Sequence, residues 1–250
     1  MLLSEIIEKL EQFAPPSLKE EWDNVGLMLG DPRWNIQKCY VVLDITDTVI
    51  EHAITNGCNL IVTHHPFLMG GLKSIRLDNP KGNQIATLLS HRIAVYSMHT
   101  NFDSCHGGVN DCLCEPLGLS DYHTDEQTVC RKGMYQEPVS LREFITRVKD
   151  VLGIPFVNYT GDLNRMIRSV AIVGGSGGSM ITQMTDCDVF LTGEAKYHEY
   201  QLADSLNLCL VTAGHFETEV PALDVIRNLL SNLSLEVIGG EVYHGFYRTI

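Results

Sequence analysis

No two of the eight cysteines (39, 58, 105, 112, 114, 130, 187, 209) stand in a CxxC spacing. That absence removes the cysteine zinc ribbon and the thioredoxin-type redox motif. The thiols, most of them inside apolar segments, read as reduced and buried. Basic residues are also scarce, with 18 Lys and Arg against 31 Asp and Glu and a net charge of −13. No basic run or basic–aromatic interleaving offsets this, which opposes nucleic acid as a partner, since phosphate neutralisation supplies most of that affinity. No apolar run approaches the roughly 20 residues needed to cross a bilayer. The opening "MLLSEIIEKLEQFAPPS" lacks the basic start and apolar centre of a signal peptide. The expected location is the cytoplasm, with no membrane partner. The Lys-Ser/Thr of a P-loop is missing from the glycine-rich "GGSGGS" (174–179), which reads as a tight turn giving backbone access to a ligand or a neighbouring lobe.

What is present is a soluble globular composition, 44% hydrophobic over 250 residues, enough for a sizeable core. Near-continuously apolar strands alternate with helical segments: "CYVVLDI" (39–45), "NLIVT" (59–63) and "IAVYSM" (93–98), then "RSVAIVG" (168–174), "DVFLT" (188–192) and "LCLVTA" (208–213). Such strands suit mostly parallel sheets covered on both faces. Helices are expected through "DTVIEHAITNG", stopped by Gly57, and through "NQIATLLSH", "SLREFITRVKDVLG", "GGSMITQMT", "YHEYQLADSL" and "VPALDVIRNLL". A final strand, "LEVI", follows. Residues 120–167 carry a weaker pattern.

The pattern restarts. Setting "NGCNLIVTHH" (56–65) over "TDCDVFLTGE" (185–194) pairs Cys58 with Cys187, Thr63 with Thr192 and His65 with Glu194. The same offset lays "VVLD" (41–44) on "VAIV" (170–173). Each third strand runs into a related string, "MHTNFD" or "GHFETE". The expected fold is therefore α/β, with two similar three-layer lobes related by internal duplication, 1–125 and 126–250. The segment from about 209 to 250 is free in this scheme to complete the first lobe.

Ligands of parallel sheets sit beyond the carboxyl ends of the strands. At those ends stand His64 and His65, His99 with Asp103, and His215 with Glu219. A His-x-x-x-carboxylate spacing brings two donors to one face when the backbone turns helically. One strand-end histidine is ordinarily a capping or surface residue; three such groups at matching termini favour metal. Four histidines and two carboxylates exceed the needs of one catalytic zinc and suit two divalent ions about 3.5–4 Å apart. Zinc, iron, manganese or nickel all fit imidazole and carboxylate. Glu194 and His198 are candidates for outer ligands or for proton transfer. His52, His91, His106, His123 and His244 lack a matching context.

The strings "WDNVGL" (22–27), "VTHHP" (62–66), "HTNFD" (99–103), "GGVND" (107–111), "TGE" with "HE" (192–199) and "AGHFETE" (213–219) closely resemble those of the GTP cyclohydrolase 1 type 2 homologue family, the interacting-factor-three-like metalloproteins. The resemblance covers nearly the whole chain. It implies two α/β lobes with a dinuclear metal site in the cleft between them, without an inserted domain, and a toroidal homohexamer built as a trimer of dimers. Carried over by position, the ligands are His64, His65, His99, Asp103, His215 and Glu219. The family name suggests metal-dependent hydrolysis of a nucleotide, GTP cyclohydrolase-like, with Glu194 or His198 assisting. The alternative function is a non-catalytic metal-binding scaffold or regulator acting as a ring-shaped oligomer.

Overall fold

A computed structural model describes residues 1–124 and 129–240. His244 and the lobe boundary expected at residues 125 and 126 lie outside the described residues.

In chain order the first elements are α1 (Leu3–Phe13), β1 (Gly26–Leu29), β2 (Lys38–Val42), α2 (Asp47–Thr55), β3 (Leu60–Thr63), α3 (Pro80–Ser90), β4 (Ala94–Ser97) and α4 (Thr100–Ser104). Then come α5 (Asp111–Cys114), β5 (Ser120–Thr124), β6 (Arg131–Ser140), α6 (Leu141–Leu152), β7 (Asn158–Tyr159) and β8 (Met166–Val173). The last are β9 (Val189–Thr192), α7 (Tyr197–Ser205), β10 (Cys209–Thr212), α8 (His215–Glu219), α9 (Leu223–Ser231) and β11 (Glu236–Gly239). None of the described helices is long and apolar enough to cross a membrane.

The described residues form two compact units, one of Met1–Cys105 with the described residues from Leu223 onward, the other of His106–Ala222. The first holds a sheet ordered β1-β4-β3-β2-β11. Its inner pairings are parallel and β1 runs antiparallel to β4. Tyr40, Val42, Ile61 and Val95 project to one face, where Val49, Ile50 and Ala53 of α2 and Ile85 and Leu88 of α3 cover them. That alternation follows from the strand repeat of two. The helices begin and end as their sequences dictate. Thr46 accepts from Val49 N at α2, Asn79 accepts from Lys81 N at α3, and Gly57 takes the left-handed φ of +68° that ends α2.

The second unit holds a sheet ordered β5-β6-β8-β9-β10-β7. Its centre, β8-β9-β10, is parallel, and its flanks are antiparallel. The weakly patterned stretch 120–167 thus supplies β5, β6, α6 and β7. Helix α6 opens on a reciprocal Ser140–Glu143 capping box and buries Leu141, Phe144, Ile145 and Val148. The segment "GGSMITQMT" forms a 3₁₀ helix, Gly178–Gln183, in place of the expected α-helix.

Register places the functional ends. In the first unit Val42, Thr63 and Ser97 stand level across β2, β3 and β4. In the second, Val173, Thr192 and Thr212 stand level across β8, β9 and β10. The expected match of Thr63 with Thr192 therefore holds. The match of "VVLD" with "VAIV" is two residues out, because Val42 corresponds in register to Val173. A slip of two leaves every side chain on its own face, so the hydrophobic pattern gives no sign of it.

Candidate metal centre

Because β2, β3 and β4 end level, the residues that follow them emerge together: Leu43 and Asp44, His64 and His65, Met98 and His99. The ladder continues past the strand, with His64 N donating to Val42 O (3.2 Å) and His65 N to Leu43 O (3.0 Å). The Thr63 hydroxyl also donates to Leu43 O at 2.6 Å. Two adjacent histidines are thereby fixed at the backbone where an apolar strand stops.

Each imidazole is oriented by its Nδ1. His64 Nδ1 lies 2.8 Å from Met98 O, His65 Nδ1 2.8 Å from Asp44 Oδ1, and His99 Nδ1 2.9 Å from Asp23 Oδ1. A carbonyl or a carboxylate only accepts, so Nδ1 carries the proton in all three rings and the lone pair of each neutral ring resides on Nε2. Carboxylate–histidine and carbonyl–histidine contacts of this kind fix the tautomer of metal-binding imidazoles. Ligand atoms of His64, His65 and His99 lie within 4.8 Å of one another. Asp103 Oδ1 stands 3.6 Å from His64 Nε2.

Asp23 is buried, at 6% exposure. Burial alone would raise its pKa, but hydrogen bonds from His99 and then Thr100 hold it far below the usual aspartate range. Thr100 contributes both its hydroxyl (2.5 Å) and its N–H (3.1 Å). The "WDN" segment reaches this end because β1 is antiparallel to β4, with Gly26 opposite Ser97. Trp22 stands edge-on to His99, ring centroids 5.9 Å apart. Sequence reasoning noted residues 22–24 only within the string "WDNVGL" and assigned them no role. It passed over Asp44, whose signal was a lone carboxylate closing the strand "VVLD"; Met98 acts through its backbone and left no signal.

In the second unit His215 opens α8 and Glu219 lies one turn on, His215 Nε2 to Glu219 Oε1 being 3.2 Å. The helical i,i+4 geometry expected from the spacing is present. Glu194, exposed after β9, places Oε1 3.4 Å from His215 Nδ1. His198 is exposed on the first turn of α7, and among the described residues it joins no cluster of metal donors.

The glycine-rich turn proves to be clearance for these groups. A Cβ on Gly175, whose φ is +62°, would lie 2.0 Å from Glu219 Oε1 and 3.2 Å from His215 Nε2. A Cβ on Gly193 would lie 2.8 Å from His215 Cα. Read literally, "GGSGG" (174–178) is also G-x-S-x-G, yet the left-handed torsion falls on Gly175 and not on Ser176, so no strained nucleophile elbow forms.

Two further described histidines lie outside this set. His106 is exposed and pairs with Asp111 (3.0 Å), whose second oxygen meets the buried Arg131 guanidinium. His52 packs on Tyr40, ring centroids 5.1 Å apart. None of the eight cysteines forms a disulfide among the described residues, and burial pushes the Cys58 thiol up to about 11 and Cys114 and Cys187 up to about 12. These are structural thiols.

The fold and these donor sets define an α/β protein of two units with histidine-rich strand ends whose side chains could bind a metal ion. The chain belongs to the Duf34/NIF3 (NGG1p interacting factor 3) family, whose model matches residues 1–244. A "GTP cyclohydrolase 1 type 2 homolog" of Clostridium acetobutylicum is 36% identical over 231 residues, covering 88% of this chain and 86% of the relative. "Protein NIF3 homolog" of Schizosaccharomyces pombe is 32% identical over 234 residues, covering 86% and 84%. Among solved structures, reduced HcgD from Methanocaldococcus jannaschii is 32% identical with a TM-score of 0.85, covering 96% of this chain and 97% of its own. A Staphylococcus aureus hypothetical protein reaches a TM-score of 0.91 at 26% identity, covering 100% and 99%.

Proposed function

We propose that His64, His65, His99 and Asp103, with His215 and Glu219, hold two divalent metal ions (zinc, iron, manganese or nickel), and that the centre serves hydrolysis of a nucleotide-like substrate in the cytoplasm. The observation that carries this reading is the shared orientation of the three first-unit imidazoles, each with Nδ1 engaged by an acceptor, in a group whose ligand atoms lie within 4.8 Å of one another. The donor chemistry fits the metals: imidazole nitrogens in one set, imidazole and carboxylate in the other. When bound, such a pair supplies Lewis acidity and makes water acidic near neutral pH. Asp23 and Asp44 orient His99 and His65. Glu194, exposed beside His215, is the residue placed to take up or deliver a proton, with His198 second. The names borne by relatives at 34–38% identity support the nucleotide class. A homohexamer belongs to the same proposal; light scattering should then give six times 27.9 kDa, and a monomer mass would remove it.

The test is a hydrolysis panel of nucleotides, phosphate esters and amides offered to metal-loaded protein. At least one nucleotide should be turned over, with turnover abolished by His99→Ala or by chelation while the fold persists. A folded, metal-loaded chain that hydrolyses nothing on the panel would favour the scaffold or regulator role.

A further inference from the structure

At the opposite end of the first sheet, where β2, β3 and β4 begin, Arg33, Trp34, Asn35, Asn59, His91 and Arg92 line a concavity of about 440 Å³. Its floor is pinned. Asn59 Oδ1 accepts from Gln37 N (3.0 Å) and Lys38 N (3.2 Å), and its Nδ2 donates to Asn35 O (2.8 Å).

Its chemistry is basic in a chain of net charge −13. The Arg92 guanidinium lies over the Trp34 ring, 5.3 Å from the centroid. Among the described residues it makes no hydrogen bond or ion pair, so stacking orients the group while its N–H donors remain unspent. The Arg92 backbone is left-handed, with φ at 52°, and closes α3 as Gly57 closes α2, with Ile93 N donating to Leu88 O (2.9 Å). Arg33 is clamped on Asp31 through Nε (2.9 Å) and Nη2 (2.6 Å). Two guanidiniums and an imidazole thus line the basin, and the carboxylate of Asp31 is engaged by Arg33.

We infer that this basin binds the phosphate group of a small phosphorylated metabolite. A stacked, pre-oriented guanidinium recognises phosphate with two parallel N–H donors, and its volume admits more than a bare ion. Two guanidiniums at one concavity favour an anion there over a cation. The inference is independent of the metal reading.

The test is calorimetric titration of the metal-loaded full chain with inorganic pyrophosphate, repeated on Arg92→Gln, Arg33→Gln and His65→Ala. Saturable binding is expected in the parent protein. Arg92→Gln should weaken it about tenfold or more, the scale of one charge-assisted contact. Arg33→Gln should weaken it less, and His65→Ala should retain it. Both arginines are exposed, so unchanged melting will show that folding is intact. The inference is overturned by binding that survives unchanged in Arg92→Gln, by binding lost in His65→Ala, which would assign the anion to the metals, or by no saturable binding at all.

Discussion

The two units carry their donors on equivalent strand ends but hold them by different means. In the first, three imidazoles are each aimed by an acceptor on Nδ1: Met98 O, Asp44 and Asp23. In the second, a single imidazole and a buried carboxylate are accommodated by bare backbone, at Gly175 and Gly193. The register explains part of the contrast. Ser97 is level with the position of Thr212, so His99 corresponds to Gly214 and caps α4 from outside, whereas His215 lies within the first turn of α8. His99 has the buried Asp23 on its Nδ1 from another element, while His215 has the exposed Glu194 near its Nδ1 and meets Glu219 along its own helix. A duplicated scaffold thus supports two solutions to the same task of fixing a ligand.

The largest expected effect separates scaffold from site. Arg131 and Asp111 are buried at 1% and 6% exposure in the second unit and pair with each other. Asp111→Ala should destabilise the protein by about 3–5 kcal/mol, because it strands a buried guanidinium. Urea denaturation will measure this, and the metal donors themselves should be unaffected in the folded fraction. Next, Gly175→Ala should displace Glu219 and add about 1–2 kcal/mol of backbone strain at positive φ. Reduced metal content by elemental analysis, together with a lower melting temperature, would bear this out.

The corresponding lesion in the first unit is gentler. Asp23→Asn keeps size but weakens the hold on His99, and should cost about 10–100-fold in metal affinity with little change in fold. Competition with a chromophoric chelator reads it directly; equal affinity would show that the carboxylate does not orient a ligand. The smallest effect lies away from both sites. Burial raises the Asp188 carboxyl, but the N–H groups of Ser169 and Arg168 and the Ser169 hydroxyl outweigh it and lower the pKa. A folded pKa below the unfolded one gives stability that is complete above about pH 3.9 and is lost as pH falls through the folded value. Asp188→Asn should lower the urea midpoint at pH 7 and narrow its difference between pH 7 and pH 3.

The sequence displayed what the central strands display. "NLIVT", "IAVYSM" and "LCLVTA" are apolar because both faces are covered, and their ends located His64, His65, His99 and His215. The antiparallel flank of the second sheet was illegible because β6 mixes buried and exposed residues, contains Pro138, and shifts register between Met134 and Val139. The glycines of "GGSGGS" read as a turn, but what they leave room for, Glu219, lies more than 40 residues on. Orientation of the imidazoles was the least visible feature, since one of its three acceptors is a backbone carbonyl and another, Asp44, stood at the end of a strand as an ordinary polar residue.

Anomalous diffraction from a metal-loaded crystal tests the central claim most directly. The account predicts anomalous peaks within coordination distance of Nε2 of His64, His65 and His99, with every Nδ1 still on Met98 O, Asp44 or Asp23. Peaks elsewhere, ligation through Nδ1, or a metal-soaked chain without ordered metal at these imidazoles would contradict it.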